Sequence, residues 1–544
     1  MIKIVFKKIA DILLRPFKEH FLFFIIFCAL ITSAHVLSYF NGDNEMNGIA
    51  VIATAMHCIA FSYVVTLLIG VLRPKVARQI AQIIFMLFAA IDFTLNFYCA
   101  FYLHSLFDSD VALLIAETDP SEAKEFLSSL VPTWMYFTIA GIFLLLGLLW
   151  WFIKRSNLNF NLGKKASLVA MGIICICIAG NLYRWGIWNY GPIAPIYHLS
   201  QQDNPGSLRD YFSHPQIIYE DNDELPTNVV LIIGESFTRS HSSIYGYEKL
   251  TNPELAKLKD NSLLFCFDSI DAPAPSTIMS LRYTLSTFGL YDETPDQNKK
   301  WYEFVSLIEA MKESGYESYW YGNQGRAGKY NGSTRVYSQA CDHQCYLKDE
   351  NTDVDQFDIV LVDSSYQTIN KISHQNHNFI IYHMKGSHFN FSMRYPKEFD
   401  HFTTNDYSND PESHRDILSS YDNSILYNDY VVNKIIDLFK DTESIVIYLP
   451  DHGQVMYRYS KNPDYYAHGK KEDPENYKYG IDIPFFIYAT PEFQQKYPQL
   501  MERIKYRQDN PKHWNSDDLP YFIMDLIGVK EINGEDVHPK SILN

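Results

Sequence analysis

The 544-residue sequence predicts a chain in two parts. The first is an α-helical membrane domain with five transmembrane helices over residues 1–188. A membrane-surface linker over 189–226 leads to the second, an α/β/α domain with a mainly parallel sheet over 227–544. Three observations predict this division. The strongly apolar stretches all lie before about residue 190, basic and acidic connections alternate between them, and short β-branched and aromatic runs alternate with helical patterns after Pro226. With 47% hydrophobic and 15% aromatic residues the chain has ample material for a core, which excludes a disordered chain. Its 46 basic against 63 acidic residues give a charge of −17, which argues against a nucleic-acid partner.

Stretches 21–40, 49–72, 80–103, 133–153 and 167–185 each approach or exceed the ~20 helical residues that cross a bilayer core. Lys3, Lys7, Lys8, Arg15 and Lys18 precede the first. Arg73, Lys75 and Arg78 follow the second, and Lys154, Arg155, Lys164 and Lys165 follow the fourth. The other connections carry Asp43 and Glu45, then Asp108, Asp110, Glu117, Asp119, Glu122 and Glu125. This alternation places the N-terminus in the cytoplasm and everything after the fifth span outside. Within the third span Asp92 and Asn96 share a helix face and are expected to bond to a neighbouring helix. The segment 103–132 reads as an acidic amphipathic surface element.

In the second part, 228–233, 318–321, 358–362, 378–382, 444–448 and 483–488 read as strands, and 301–314 and 419–438 as helices. Strands alternating with helices give a parallel sheet covered on both faces, with chemistry gathered past the carboxyl ends of the strands. NVVLIIG runs into Glu235, NFIIYHMKGSH ends with His383 and His388, and SIVIYLPDHG ends with Asp451 and His452; His468 follows in YAHG. A carboxylate from one strand end and an Asp-His pair from another, joined by a hydroxyl, make a mixed oxygen and nitrogen site that suits zinc. Ser276 or Thr277 supplies the hydroxyl, since APAPSTIMSLR places both at a helix N-terminus, where an anion such as phosphate is favoured. An ordinary helix cap is the plainer reading of those two residues. A metal beside the hydroxyl would lower its pKa and turn a weak nucleophile into a good one. Cys28, Cys58, Cys99, Cys175 and Cys177 lie in spans, Cys266 reads as a buried thiol, and Cys341 and Cys345 in CDHQC could form a local disulfide.

GESFTRSHSSIYGYEKLTNPEL, PAPSTIMSLR, YDNSILYNDYVV, HMKGSH, PDHG and YAHG, in that order behind five spans, resemble the phosphoethanolamine transferases of the alkaline phosphatase/sulfatase-like superfamily. That resemblance implies transfer of phosphoethanolamine from phosphatidylethanolamine to lipopolysaccharide, at a core sugar or lipid A, through a phospho-threonine. It implies one tight zinc site made by Glu235, Thr277, Asp451 and His452, with room for a second metal during turnover. Thr277 would be the nucleophile, and His388 and His468 would serve the transferred phosphate. Thr118 and Glu122 match head-group positions, although Leu114 stands where many members have Asn. Asn323, Arg326, Lys329 and His383 are further candidates for substrate contact. Gln454 after PDHG, and the lack of a cysteine pair around the nucleophile, depart from the commoner pattern. The resemblance implies a multi-pass monomer of a bacterial inner membrane with its catalytic domain in the periplasm. A phosphoglycerol transferase or a metal-dependent phosphodiesterase of the same fold is the alternative.

Overall fold

The computed structural model describes residues 2–544, apart from 42–47, most of 104–132, 156–161, most of 181–213, 220–223, 290–300, 325–331, 348–355, 375 and most of 459–473. The chain forms two compact units, Met1–Asp203 and Asn204–Asn544.

In the first unit an amphipathic helix, Ile2–Leu13, precedes five apolar ones: α1 (Phe21–Asn41), α2 (Gly48–Val71), α3 (Lys75–Tyr98), α4 (Thr133–Arg155) and α5 (Lys164–Gly180). Helix α3 runs on through a π-helical turn, Cys99–Leu103. These helices coincide with the five apolar stretches of the sequence. Among the described residues two of them, Gly48–Val71 and Lys75–Phe101, are long and apolar enough to cross a membrane, while Phe21–Leu37 and Thr133–Leu148 are shorter apolar runs. Phe27, Ile31, Val65 and Phe93 build the core between α1, α2 and α3. His35 on α1 meets Asp92 on α3 at 3.2 Å, and Asn96 donates to the same Asp92 oxygen at 3.3 Å, so the polar pair of the third span is tied to a neighbouring helix as expected.

The second unit is built on seven strands: β1 (Asn228–Gly234), β2 (Leu264–Phe267), β3 (Glu317–Gly322), β4 (His343–Tyr346), β5 (Asn378–His383), β6 (Ser444–Pro450) and β7 (Phe485–Ala489). Their order is β2-β7-β6-β1-β5-β3-β4. The five strands from β6 to β4 are parallel, whereas β7 runs antiparallel to both β6 and β2, so the sheet is mixed rather than wholly parallel. Successive residues of β1 feed two cores, Val229, Leu231 and Ile233 on one face and Val230 and Ile232 on the other. Burial on both faces explains why the central strands read as continuous apolar runs.

Three expectations are corrected. Residues 358–362 are not a strand: they open helix α7 (Ile359–Ile372), whose buried Leu361, Val362, Ser365 and Ile369 recur at helical spacing. The edge position belongs instead to β4. Cys341 and Cys345 are both free; Cys341 turns into one core and Cys345 packs against the other, so the sheet separates the two sulfurs. Part of the expected linker, Ile217–Tyr219, pairs with Val529–Ile532 in a small antiparallel sheet of the second unit.

Candidate active site

The paired ends of β1 and β6 set the site. Gly234 stands opposite Pro450, which makes Glu235 and Asp451 the next residues of two adjacent parallel strands. A side chain at Gly234 would collide with the Tyr448 ring and hydroxyl, so glycine is needed where the strand turns. Ser236 then takes a positive φ of 53°, donates its hydroxyl to Glu235 Oε1 at 2.7 Å, and donates its N–H to Asp451 Oδ1 at 3.1 Å. The His452 N–H donates to the same Oδ1 at 2.7 Å. Helix α8 (Glu412–Asp437) holds this loop from behind: the Tyr421 hydroxyl donates to the Ser236 carbonyl at 2.8 Å and accepts from the Thr238 N–H at 3.0 Å.

Glu235, Asp451 and His452 are fully buried and offer ligand atoms that lie within 4.8 Å of one another. His452 Nδ1 donates to the Gly453 carbonyl at 2.7 Å, which turns Nε2 inward, 3.4 Å from Glu235 Oε1 and 3.6 Å from Asp451 Oδ2. Neither Asp451 Oδ2 nor His452 Nε2 receives a hydrogen bond among the described residues. Buried polar atoms are rarely left unsatisfied, so two such atoms facing each other fit a bound cation.

Thr277 completes the donor set. Helix α6 (Thr277–Thr284) begins at this residue, and the Ser276 side chain makes no capping bond, so the plain cap reading does not describe Ser276. The Thr277 hydroxyl donates to Glu235 Oε2 at 3.2 Å, and Thr277 is partly exposed where Glu235 is not. Two carboxylates, one imidazole and one hydroxyl form a donor set that fits zinc.

The charges are unbalanced. Burial, then the neighbouring Glu235 charge, pushes the Asp451 carboxyl up to about 8. Burial opposes a charged Glu235, but the adjacent His452 ring, helped by the His388 charge, holds it well below the usual range. Burial likewise opposes a charged His452, yet Asp451 and Glu235 outweigh it and raise the ring to about 9. Without a cation the cluster holds protons where ligand lone pairs are needed.

The other expected residues fall into three groups. His468 packs edge-on against His452 with ring centroids 4.7 Å apart, and burial, then the His452 charge, lowers it to about 3. His388 acts electrostatically on both Glu235 and His468, and its Nδ1 donates to the Phe389 carbonyl at 2.6 Å. These two belong to the cluster. His383 and Asn323 lie beneath it: His383 is buried edge-on against Trp320 and lowered to about 4 by burial, and Asn323 spends its amide on Asp358 and the Gln356 carbonyl. Thr118, Glu122, Arg326 and Lys329 lie outside the described residues. Sequence reasoning missed Gln324, whose amide donates to Glu235 Oε2 at 2.8 Å and to the Met384 carbonyl at 3.1 Å. Its place just past a strand end, beside Asn323, was the available signal.

A family model described as Sulfatase matches residues 227–529. The chain belongs to the sulfatase family. Over 93% of its length it is 27% identical to the phosphoethanolamine transferase EptC of Escherichia coli strain RS218, covering 88% of that protein. A Kdo(2)-lipid A phosphoethanolamine 7''-transferase of E. coli K12 is 30% identical over 49% of this chain and 45% of that relative. The crystal structure of the C-terminal periplasmic domain of E. coli EptC in complex with Zn is 26% identical and superposes with a TM-score of 0.52 over 61% of this chain and 90% of that domain. The integral membrane lipooligosaccharide phosphoethanolamine transferase A of Neisseria meningitidis, at 17% identity, shares the fold over 96% of this chain and 97% of its own, with a TM-score of 0.63. This sulfatase-family chain is thus similar to phosphoethanolamine transferases over nearly all of its length.

Proposed function

We propose that the chain transfers phosphoethanolamine from phosphatidylethanolamine to a lipopolysaccharide acceptor, a core sugar or lipid A, through a covalent phospho-threonine on Thr277. The observation that carries this reading is the partly exposed Thr277 hydroxyl bonded to a buried Glu235–Asp451–His452 cluster, in a chain whose relatives are named for this transfer. Glu235, Thr277, Asp451 and His452 would hold one zinc ion, which when bound lowers the pKa of the Thr277 hydroxyl and polarises the phosphoryl oxygens.

The remaining work falls to the chain. Thr277 Oγ1 attacks phosphorus, the bond to diacylglycerol breaks, and phosphoethanolamine stays on Oγ1. The proton that Thr277 Oγ1 gives up passes by way of His388 to the leaving diacylglycerol oxygen, and His468, kept neutral by burial and the His452 charge, lends an N–H to the phosphoryl oxygens. An acceptor hydroxyl or phosphate then attacks the same phosphorus and returns Thr277. Arg326 and Lys329 are proposed as phosphate contacts, and Thr118 and Glu122 as contacts to the lipid head group. Asn323 and His383 support the site from below.

The five apolar helices are proposed to span a bacterial inner membrane with the N-terminus in the cytoplasm. The 227–544 domain then stands in the periplasm as part of a monomer. Holding an enzyme at the surface where donor and acceptor both reside makes its search two-dimensional. Mass spectrometry of envelope glycolipids, with and without the intact gene, tests the reading. An added phosphoethanolamine group that depends on the gene supports it, whereas an added glycerol phosphate or a hydrolysed donor replaces it with the alternative chemistries of the fold.

A further inference from the structure

One buried carboxylate beside the site is not used by the chemistry above. Asp358 is almost wholly buried, yet it accepts three hydrogen bonds: Oδ1 from Asn323 Nδ2 at 2.7 Å and from the Lys385 N–H at 2.8 Å, and Oδ2 from the Gly386 N–H at 2.8 Å. Two of these donors are consecutive amides of the turn that follows β5. The other side of that turn is fastened to β1. The Met384 N–H donates to the Ile233 carbonyl at 2.9 Å, the Ser387 N–H donates to the Glu235 carbonyl at 3.1 Å, and the Met384 carbonyl accepts from Gln324, which also holds Glu235 Oε2.

Gly386 shows how closely the turn lies on Glu235. Its φ is +49°, and a Cβ there would come within 2.8 Å of the Glu235 nitrogen. Any tilt of the turn therefore moves the Glu235 backbone. His388, two residues further on, rides on the same segment. Only a carboxylate can serve all three donors, because an amide side chain would set its own N–H against at least one of theirs.

We infer that Asp358 is a positioning residue: by gripping the Lys385–Gly386 turn it sets the place of the metal-binding Glu235 and of His388. The inference rests on the transferase reading and extends it to a residue that touches neither metal nor substrate. Residues behind the ligands commonly change metal affinity or activity by about 10–100-fold.

The test uses the full-length chain in detergent. Asp358→Asn is expected to weaken zinc binding by roughly 10-fold or more, read by competition with a chromophoric chelator, and to lower transfer from phosphatidylethanolamine by a similar factor. Because the part of the effect that does not run through zinc affinity runs through His388, the same substitution in a His388→Ala background, assayed at saturating zinc, should lower transfer by less than about threefold, as coupled sites are not additive. A purely structural role would give losses that multiply. Asn323→Ala, which removes one donor and leaves the backbone pair, should shift zinc affinity in the same direction by a smaller factor, and it stands in for Asp358→Asn should that variant not fold. Unchanged zinc affinity in these variants, or fully multiplicative losses in transfer, overturns the inference while leaving the transferase reading intact. A wild-type chain that binds no zinc overturns both.

Discussion

Asp358 and Asp451 are both buried aspartates at the carboxyl edge of one sheet, and the protein treats them oppositely. Both oxygens of Asp358 are met by N–H groups, Oδ1 by Asn323 and Lys385 and Oδ2 by Gly386. Among the described residues Asp451 is met only on Oδ1, by Ser236 and His452, and its Oδ2 faces the equally unmet Nε2 of His452. Burial raises both carboxyls, but only at Asp451 does a second carboxylate, Glu235, add to it. The contrast teaches how a buried acid is read. An acid met on both oxygens by N–H groups suits holding backbone, and a bare oxygen beside another bare ligand atom is a candidate for holding an ion.

The sharpest break of this contrast comes from the nucleophile. Thr277→Ala removes the proposed attacking oxygen and leaves three of the four proposed ligands, so transfer should fall by at least about a thousandfold. Zinc content, measured by elemental analysis of the purified protein, should fall only in part. Full activity in that variant would remove Thr277 from the chemistry.

Next in size is the loss at Asp451 itself. Asp451→Asn should weaken zinc binding beyond the roughly 10–100-fold expected for a residue behind the ligands. In chelator competition it should therefore lie well past Asp358→Asn. Equal effects would erase the distinction drawn between the two acids.

A third expectation concerns pH. Burial and the Glu235 charge raise Asp451 to about 8, and against burial the two carboxylates raise His452 to about 9, so zinc binding at neutral pH is expected to displace protons. The bound state holds fewer protons than the free state, and affinity must rise with pH through neutrality and level off above about 9. Calorimetry in buffers of different ionisation enthalpy should show proton release at pH 7. Uptake or no exchange would contradict the arrangement.

The smallest effect is expected in the other unit. Asp92 is a third buried carboxylate, tied across helices to His35 and along its own helix to Asn96. Such interhelical bonds are worth about 0.6 kcal/mol on average. Asp92→Asn should therefore shift thermal stability in detergent by only a degree or two and leave zinc affinity unchanged, which a melting curve with and without chelator checks.

Much of the site was legible because it sits at strand ends, where an apolar run stops abruptly at a polar residue. Glu235 after NVVLIIG and the Asp451-His452 pair after SIVIYLP stand out for that reason. Spacing left Ser276 and Thr277 both open, and only the resemblance to the transferases favoured Thr277; in the structure it is Thr277 whose hydroxyl bonds to Glu235. What was not legible depends on distant contacts. The run IVLV after Asp358 has strand composition, and its helical spacing emerges only when the burial of Ser365 and Ile369 is known. The reversed direction of β7 leaves no trace in a strand buried on both faces. Proximity of Cys341 and Cys345 in sequence suggested a bond, but a sheet lay between them. Gln324 carries no motif, and its role comes from which oxygen it meets.

The register of β1 against β6 has a consequence for selectivity. Because Gly234 and Pro450 are ladder partners, the two acids that follow them emerge at a bite set by the ~4.8 Å spacing of neighbouring strands. Widening that bite means unzipping the middle of a seven-stranded sheet. A large ion such as calcium, which seeks six to eight oxygens at 2.3–2.6 Å, would find only two carboxylates and one hydroxyl there among the described residues. The hydrogen-bond ladder thus holds the two backbones at a fixed separation, and a small ion with few ligands suits that spacing better than a large one.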